Sequence, residues 1–508
     1  MPPLRPPHGS SPVPQAAGSA EDRADQSIAQ AYNPERFRSD GHRLVDAIAD
    51  QLARWQRRDG EVLPWQPPDE AVAEWPSSAL DPGAFPATDP PDLVADLRRI
   101  MAKSTALLHP RCMAHQVPPP LPSAALAELV SAVLNNGMAI YEMGPSAVPI
   151  ELAVVDWMRR QLGFDDGAGG VLTSGGSLGN LTALLAMRQA EAGFDAWHEG
   201  TRNGPPLAVI TSTDAHYSIA RTLAIMGWGE GGAIAAPVDS QHHLTAAAAE
   251  AALLGARSRG YRVVGIIAAA GSTATGAFDP LDDLADLAHQ HQLWLHVDAA
   301  HGGGLAMSPK YRPKLRGIAR ADSVVWDAHK LLMMPALVTG VLFKHASHAY
   351  DAFAQQASYL YARSTAESQW WNLGTRTLEC TKRMMAIELW CSLRAHGTQV
   401  FADIVERLME LGAAFAVKLD ASSDFELALA PEANIVCYRH RPQAVAPGPA
   451  LDAHNQALRM RVVEDGKFYI AGTQLESGFY LRSAIMNPLI AEHDLDELID
   501  HLRALCPS

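Results

Sequence analysis

Residues 294–304 read W-L-H-V-D-A-A-H-G-G-G, and residues 323–332 read S-V-V-W-D-A-H-K-L-L. Each run begins with apolar residues typical of a buried strand and ends in residues too polar for a core. The first run brings a carboxylate, Asp298, to the point where its strand stops, and the second brings an amine, Lys330, next to His329. Both charges need partners there, because an unpaired charge is costly to bury.

Apolar strands alternate with helical patterns around these two runs, between residues 170 and 344. Near-continuous apolar strands with helices between them predict an α/β fold, with a mostly parallel sheet covered by helices on both faces. Ligands of such sheets bind beyond the carboxyl ends of the strands, where we expect Thr273, Asp298 and Lys330. The predicted strands are Leu207–Thr211, Val263–Ala269, Leu293–Val297, Ser323–Trp326 and Val338–Phe343.

Two further loops offer groups that could bind a ligand at that edge. The run T-S-G-G-S-L-G-N at residues 173–180 precedes an apolar helix, and glycines there let an anion approach the free N–H groups of the helix. Gly176 and Ser177 are therefore candidates for binding phosphate, and an ordinary helix cap is the alternative. His216 ends another strand, where its ring could stack on an aromatic coenzyme or be purely structural.

Together these residues indicate pyridoxal 5'-phosphate (PLP) as the cofactor. A lysine can bind the aldehyde carbon of PLP covalently, and a carboxylate can pair with its protonated ring nitrogen. Lys330 and Asp298 meet both needs, although either residue alone could be a surface charge just past a strand. No metal site is expected, because His242-His243 and the histidines of residues 289–291 have no carboxylate at ligand spacing.

Composition excludes several classes of function for this chain of 508 residues. A formal net charge of -15 without a long basic run argues against nucleic acid as a partner. No apolar run approaches the ~18 residues that a membrane span needs. Five scattered cysteines without a C-x-x-C motif indicate a reducing compartment, so we expect a cytoplasmic protein.

The sequence predicts four segments. Residues 1–26 are rich in Pro, Ala, Gly and Ser, and we expect a disordered tail. Residues 27–108 show helical patterns too interrupted for a core of their own, so we expect them to pack on a partner subunit. Residues 109–396 form the predicted large PLP-binding domain, whose last helix runs from Leu378 to Ala395. Residues 397–508 form a small C-terminal α+β domain.

From about Pro91 to the C-terminus the sequence resembles the group II PLP-dependent amino-acid decarboxylases. The motifs that carry the resemblance are G-S-T-A-T-G-A-F-D-P at residues 271–280, H-V-D-A-A-H-G-G-G at 296–304 and D-A-H-K at 327–330. Members of this family decarboxylate glutamate, cysteine sulfinate, aromatic amino acids, histidine or 2,4-diaminobutyrate. The resemblance implies the fold of aspartate aminotransferase (PLP fold type I) and an obligate homodimer with active sites at the interface.

The resemblance also implies roles for single residues. Lys330 would bind the coenzyme covalently, Asp298 would face the pyridine nitrogen and His216 would stack on the ring. The remaining cofactor residues would hold the phosphate or line the coenzyme, and Gly374 and Thr375 would reach the phosphate from the neighbouring subunit. These remaining residues are Gly176, Ser177, Thr273, Ala300, His329, Gly374 and Thr375.

Other positions bear on the reaction and the substrate. Tyr359 in A-S-Y-L-Y matches the tyrosine that protonates the α-carbon in relatives, where phenylalanine marks enzymes that form aldehydes. Arg482 matches an arginine that contacts a substrate carboxylate in some relatives. His115 and Gln116 fall where relatives line the substrate pocket, and P-P-P-L-P at residues 118–122 replaces the polar segment of glutamate decarboxylases.

We therefore expect a PLP-dependent carboxy-lyase that converts an L-amino acid to its amine and CO2, with an acidic or diamino acid favoured over an aromatic one. An aromatic-amino-acid decarboxylase, another carbon–carbon lyase or an aldehyde synthase on the same fold is the alternative enzyme. A catalytically silent PLP-binding relative is the non-enzymatic alternative. The presence of Lys330, Asp298, His216 and Tyr359 together argues against it.

Overall fold

The computed structural model describes residues 20–81, 92–201, 204–353 and 370–506, and its largest sheet has seven strands. These strands are β1 (Gly169–Thr173), β2 (Leu207–Ser212), β3 (Ala233–Ala236), β4 (Arg262–Ala269), β5 (Trp294–Asp298), β6 (Ser323–Asp327) and β7 (Thr339–Phe343). Their order across the sheet is β1-β7-β6-β5-β4-β2-β3.

Six of the seven strands point the same way. β7 is antiparallel to both of its neighbours, and the remaining strands are parallel to one another. The carboxyl ends of β1, β2, β4, β5 and β6 therefore meet at one edge of the sheet. This arrangement confirms the predicted α/β fold with a mostly parallel sheet, and the five predicted strands are all present to within one residue at each end.

Both faces of the sheet are buried, as near-continuous apolar strands require. Successive residues of one strand, such as Val324 and Val325 in β6, belong to two different hydrophobic cores. The helices between residues 122 and 420 are α5 (Pro122–Leu134), α6 (Ala147–Gln161), α7 (Gly176–Glu191), α8 (Ala196–Glu199), α9 (Ser218–Ile225), α10 (Ala246–Ser258), α11 (Leu281–His291), α12 (His348–Asp351), α13 (Ala386–His396) and α14 (Gln399–Asp420), the last of which packs on the C-terminal sheet.

A second, antiparallel sheet follows in the C-terminal part of the chain. Its strands are β8 (Phe425–Leu427), β9 (Ile435–His440), β10 (Ala471–Leu475) and β11 (Gly478–Ala484), in the order β10-β11-β9-β8. Two helices accompany it, α15 (Pro449–Asp465) and α16 (Glu492–Ala504). Along the chain these elements follow one another as two strands, a helix, two strands and a helix.

The chain divides into two compact units. One takes in the described residues of 1–54 and 67–104, and the other takes in 55–66 with 105–508. The helices of the N-terminal part are α1 (Ala20–Ala31), α2 (Pro34–Gln56), α3 (Pro68–Ala73) and α4 (Leu93–Ala102). The predicted domain boundaries at residues 26, 108 and 396 stay predictions. No helix among the residues that the structure describes is long and apolar enough to cross a membrane.

The predicted disordered tail needs one correction. Helix α1 begins at Ala20, so residues 20–26 are helical rather than disordered. The run A-E-D-R-A-D-Q-S-I-A-Q-A consists largely of good helix formers, and its acidic residues Glu21 and Asp22 lie in the first turn, where they complement the helix dipole. Residues 1–19 lie outside the described part of the chain.

Candidate active site

A cavity of about 270 Å³ lies at the edge of the large sheet where the parallel strands end. The loops after β1, β2, β4, β5 and β6 supply most of its wall. Its volume lies near the lower end of the range of about 300–1,000 Å³ that is usual for ligand pockets. Eight residues predicted to bind the cofactor meet on this wall: Gly176, Ser177, His216, Thr273, Asp298, Ala300, His329 and Lys330.

The N-terminus of α7 forms one end of the cavity. Gly175 precedes the helix with a φ of 100°, a backbone conformation that favours glycine. At Gly176 a Cβ atom would lie 3.2 Å from both carboxylate oxygens of Asp327 and 3.6 Å from the Cβ of Ala300, so a larger residue would crowd this end. The free N–H groups of the helix and the Ser177 hydroxyl are donors of the kind that a phosphate group binds.

Asp298 holds its carboxylate at the end of β5. Its Oδ1 atom accepts a hydrogen bond from the backbone N–H of Ala300 at 3.1 Å, and its Oδ2 atom accepts one from the side-chain amide of Asn180 at 3.0 Å. Asn180 lies in α7 and is only 1% exposed. Two buried donors on different elements therefore fix the orientation of this carboxylate.

A chain of buried hydrogen bonds continues from Asn180 into the core. Asn180 Oδ1 lies 3.0 Å from Nε2 of His296. The other ring nitrogen of His296, Nδ1, lies 2.8 Å from the hydroxyl oxygen of Ser323. The same hydroxyl oxygen accepts a hydrogen bond from the indole N–H of Trp294 at 2.8 Å. Burial lowers the pKa of His296 to about 4, so its ring is neutral and has one donor and one acceptor nitrogen. The indole can only donate, so the direction of the chain is fixed from that end. Each group then donates a hydrogen bond to the next, and the final acceptor is the carboxylate of Asp298.

Two residues of the wall belong to the region around the carboxyl end of β2. Thr211 lies at that end of the strand, and His216 lies in the loop beyond it. The Nδ1 atom of His216 lies 2.7 Å from the hydroxyl oxygen of Ser218. Burial lowers the pKa of His216, so its ring is neutral at pH 7. The buried hydroxyl of Thr211 has no hydrogen-bond partner among the described residues, and such a group usually has a ligand or a water as its partner.

Lys330 lies on the wall after β6, with its side chain 17% exposed. Its Nζ atom is 3.3 Å from Oδ2 of Asp327, whose other oxygen accepts a hydrogen bond from the Thr339 hydroxyl at 2.5 Å. The Nε2 atom of His329 lies 3.6 Å from the same Asp327 Oδ2. One buried carboxylate therefore positions both the amine and the imidazole of the D-A-H-K run.

These groups fit PLP. A helix N-terminus with a hydroxyl suits its phosphate, and the fixed carboxylate of Asp298 suits its protonated ring nitrogen. The neutral ring of His216 and the small side chain of Ala300 suit a flat aromatic ring. The amine of Lys330 suits the aldehyde carbon, and the unpaired hydroxyl of Thr211 offers a bond to a polar ring substituent.

The predicted substrate residues do not lie on this wall. The ring of His115 is hydrogen-bonded to the hydroxyl of Tyr469 at 3.0 Å. The guanidinium of Arg482 donates to three backbone carbonyls, among them that of Thr273 at 2.7 Å, so it braces the loop that carries Thr273. Gln116 is buried, and its Nε2 atom has no partner among the residues that the structure describes.

Gly374 and Thr375 also lie away from the cavity of their own chain. They are buried in a 3-10 turn, where the N–H of Gly374 donates to the carbonyl of Ala139 at 3.0 Å and the hydroxyl of Thr375 donates to that of Asn372 at 2.8 Å. Their contact with a neighbouring subunit stays a prediction. Tyr359 lies outside the described residues.

The residues of the wall that were not among the predicted site residues include Asn180, Asp327 and His301. Asn180 is the last residue of T-S-G-G-S-L-G-N, one turn into α7, and Asp327 begins D-A-H-K. His301 belongs to H-V-D-A-A-H, and its Nε2 atom lies 2.7 Å from the side-chain oxygen of Asn434. All three fall inside motifs that the sequence singled out, so their positions in those motifs were the available signal.

The pattern of the pyridoxal-dependent decarboxylase conserved domain matches residues 77–441. The human protein named acidic amino acid decarboxylase GADL1 is 29% identical over 457 residues, which is 88% of this chain and 86% of its own. Mouse cysteine sulfinic acid decarboxylase is 30% identical over 397 residues, 76% of this chain and 79% of its own. Aromatic-L-amino-acid decarboxylase of Bacillus atrophaeus is 27% identical over 419 residues, 82% of this chain and 86% of its own.

A solved structure shows the same fold. The crystal structure of mouse CSAD superimposes with a TM-score of 0.85 at 26% sequence identity, and the match covers 93% of this chain and 99% of that one.

Proposed function

The chain belongs to the pyridoxal-dependent decarboxylase family, and from that membership we propose that it decarboxylates an acidic L-amino acid to the corresponding amine and CO2. PLP-dependent amino-acid decarboxylation is the activity of the family. The acidic substrate class is the part that we propose. Two observations support it: the charges around the cavity, and the names of two relatives, which describe decarboxylases of acidic amino acids.

We assign the work of the site to the residues of the cavity wall. Lys330 provides the amine that attaches the cofactor, and the N-terminus of α7 binds its phosphate. Asp298 would pair with the ring nitrogen and hold a proton there, while His216 would pack against the ring and exclude water from it. Bound PLP supplies a sink for the electron pair that is released when the bond from the α-carbon to the carboxylate breaks.

We propose Tyr359 as the group that returns a proton to the α-carbon after CO2 has left. This assignment rests on the A-S-Y-L-Y motif, since the residue lies outside the described part of the chain. Tyr359→Phe should lose amine and gain aldehyde and ammonia, with dioxygen consumed as the oxidant. Tyr361→Phe in the same motif is the matched control. Unchanged amine output from Tyr359→Phe would contradict the assignment.

The charge pattern of the cavity wall carries the proposal for the substrate class. Among the described residues, the carboxylates on the wall belong to Asp298 and Asp327, and each already accepts a hydrogen bond, from Asn180 and from the hydroxyl of Thr339 respectively. A cationic side chain would find no free carboxylate there. The described wall also has no Phe, Tyr or Trp on which an aromatic substrate could stack.

A buried cation close to the wall completes this pattern. The guanidinium of Arg482 bonds to the backbone of Thr273, a residue of the wall, and is 5% exposed. A positive charge at this depth favours an anionic substrate group, because little water screens it. The resemblance adds Gln116, whose buried Nε2 atom has no partner among the described residues and is a donor of the kind that a carboxylate or sulfinate accepts.

A substrate panel tests the proposal. The purified holoenzyme is incubated with L-aspartate, L-glutamate, L-cysteine sulfinate, L-2,4-diaminobutyrate and L-tryptophan, and the CO2 and amine released are measured, with Lys330→Ala as the blank. We expect kcat/KM for at least one acidic substrate to exceed that for the other two by tenfold or more, a difference of about 1.4 kcal/mol. A higher kcat/KM for the diamino or the aromatic acid would refute the acidic class and leave the decarboxylase assignment standing.

We also propose that the protein acts as a homodimer, in which Gly374 and Thr375 reach the phosphate site of the partner subunit. An exposed apolar face of α5 supports this assembly. Its residues recur at spacings of three and four and so lie on one side of the helix. They are Leu126, Leu129, Val130, Val133 and Leu134, each about half exposed or more. An apolar face of this kind on a folded protein is typical of an interaction surface.

Sedimentation of matched variants tests the dimer. Leu129→Glu combined with Val133→Glu should yield monomers that retain PLP poorly, because the partner's phosphate contacts are lost. Leu254→Glu, at a comparably exposed leucine of α10, is the control and should remain dimeric. A monomeric wild-type protein, or a dimer that survives both α5 substitutions, would refute this assembly.

We propose a cytoplasmic location because of the free thiols of the chain. All five cysteines are free, and Cys380 and Cys391 are exposed. Exposed thiols without disulfide partners are typical of reducing compartments. Recovery of the native protein outside the cytosolic fraction of cells would contradict this location.

A further inference from the structure

Three side chains of the type that binds metal ions meet in the C-terminal part of the chain, away from the PLP cavity. His440 ends β9, His454 lies in α15, and Cys506 follows the end of α16. The Nδ1 atom of His440 lies 3.0 Å from Nε2 of His454 and 3.1 Å from Sγ of Cys506, and the last two atoms are 3.9 Å apart. One nitrogen, a second nitrogen and one sulfur therefore converge from three separate elements.

These separations are close to those of a tetrahedral zinc site. With bonds of about 2.05 Å to nitrogen and 2.3 Å to sulfur, tetrahedral ligands lie about 3.3 Å (N to N) and about 3.6 Å (N to S) apart. Each observed separation is within half an ångström of these values. Small movements of the side chains would therefore complete the site.

The surroundings of His440 provide a second observation. Its other ring nitrogen, Nε2, lies 3.6 Å from Oδ2 of Asp424. Arg503 fixes that carboxylate through two hydrogen bonds of 2.8 Å, one to each oxygen. Histidine ligands of metals usually direct their second nitrogen at a carboxylate in this way, which orients the first nitrogen toward the metal. His440 itself is only 5% exposed.

We propose that His440 Nδ1, His454 Nε2 and the thiolate of Cys506 bind a zinc-class divalent cation, with water as the fourth ligand. One thiolate and two imidazoles form a ligand set that suits zinc, and binding releases the thiol proton to solvent. The ion would tie the end of α16 to β9 and α15. Arg461 already holds the same end of the chain, donating to the carbonyl of Leu505 at 2.9 Å.

The sequence does not reveal this site, because its residues lie 14 and 52 positions apart. Neither spacing belongs to a zinc-binding motif, and the expectation that the chain has no metal site rested on other histidines. The site goes beyond the PLP chemistry, and it does not depend on the proposed substrate. The competing interpretation is a cluster held by hydrogen bonds alone.

Metal titration of the full-length holoenzyme distinguishes the two interpretations. The protein is dialysed against a chelator and titrated with Zn²⁺ in a calorimeter, and then with Co²⁺ in a spectrophotometer. We expect one Zn²⁺ per chain, a thiolate-to-cobalt charge-transfer band, and a higher unfolding temperature with Zn²⁺. Cys506→Ser should abolish all three effects, and His454→Gln should weaken Zn²⁺ binding by tenfold or more.

Cys391→Ser, which removes an exposed thiol of α13, is the matched control and should behave as the wild type. Equal Zn²⁺ binding by the wild type and Cys506→Ser would overturn the proposal. So would a wild-type Co²⁺ spectrum without the thiolate band, and either result would assign the cluster to hydrogen bonding alone.

Discussion

Replacing Asn180 by alanine should loosen PLP binding without unfolding the protein. Asn180 donates to Asp298 at 3.0 Å and is in turn held by His296 at 3.0 Å, so its amide connects the core to the carboxylate that we propose for the ring nitrogen of PLP. In Asn180→Ala the Oδ2 atom of Asp298 loses this buried donor. The carboxylate keeps the backbone N–H of Ala300 and is free to rotate about its remaining bond.

The magnitude follows from the bond that is lost. A hydrogen bond to a charged acceptor contributes about 1.5–3 kcal/mol, and each 1.4 kcal/mol corresponds to a factor of ten in affinity. PLP binding requires a correctly oriented carboxylate, so the loss of this hydrogen bond weakens the affinity of the apoenzyme for PLP. We therefore expect the Kd for PLP to rise by about 10- to 150-fold, with a parallel fall in kcat as the ring nitrogen is held less firmly.

Titration of the apoenzyme with PLP, followed by absorbance, measures this Kd. Thr182→Val is the matched control, because Thr182 is also fully buried in α7 but bonds within the helix, to the carbonyl of Leu178. The control should retain the wild-type Kd. If Asn180→Ala bound PLP and turned over substrate like the control, the hydrogen-bonded chain would have no part in holding the cofactor.

Three other changes test separate parts of the structure. Glu151→Gln should destabilise the protein by about 3–5 kcal/mol in urea unfolding, because it leaves the buried ammonium of Lys382 without its carboxylate, and adding Lys382→Met should restore part of the loss. Gly176→Val should raise the Kd for PLP by roughly 5- to 150-fold, because the new side chain needs about 1–3 kcal/mol of rearrangement against Asp327; an unchanged Kd would exclude this helix end as the phosphate site. Burial lowers the pKa of His296 from about 6.5 in the unfolded chain to about 4 in the folded protein. Its contribution to the free energy of unfolding is therefore fully present above pH 6.5 and is lost as the pH falls toward 4. The loss is on the order of 3 kcal/mol, and His296→Gln should flatten that slope of unfolding free energy against pH.

The sequence predicted the sheet and the chemical centre because both depend on local patterns. Continuous apolar runs end at Asp298 and Lys330, and parallel strands bring such ends together whatever the details of packing. The strands that were missed, β1 and β3, are short and lie next to glycines, as in Gly169–Thr173, so they lack a long apolar run. Eight residues of the cavity wall could therefore be named in advance, while two strands could not.

Tertiary contacts explain what the sequence did not predict. The helix predicted from Leu378 begins only at Ala386, since Lys382 leaves the helical path to pair with Glu151 inside the core. The hydrogen bond from Asn180 to Asp298 joins residues that are 118 positions apart, and a local sequence pattern cannot predict a contact over that separation. The position of Arg482 could not be predicted for the same reason. Its partners are backbone carbonyls of residues that are distant in the sequence and come close only in the folded chain.

Mapping the lysine that carries the cofactor tests the central claim most directly. The holoenzyme is reduced with borohydride, digested with protease and sequenced by mass spectrometry. We expect a single pyridoxyl group per chain, on Lys330 in the peptide that contains D-A-H-K, and none in Lys330→Ala. Attachment to another lysine, such as Lys344 just past β7, or no stable attachment at all, would contradict the assignment of this cavity as the active site.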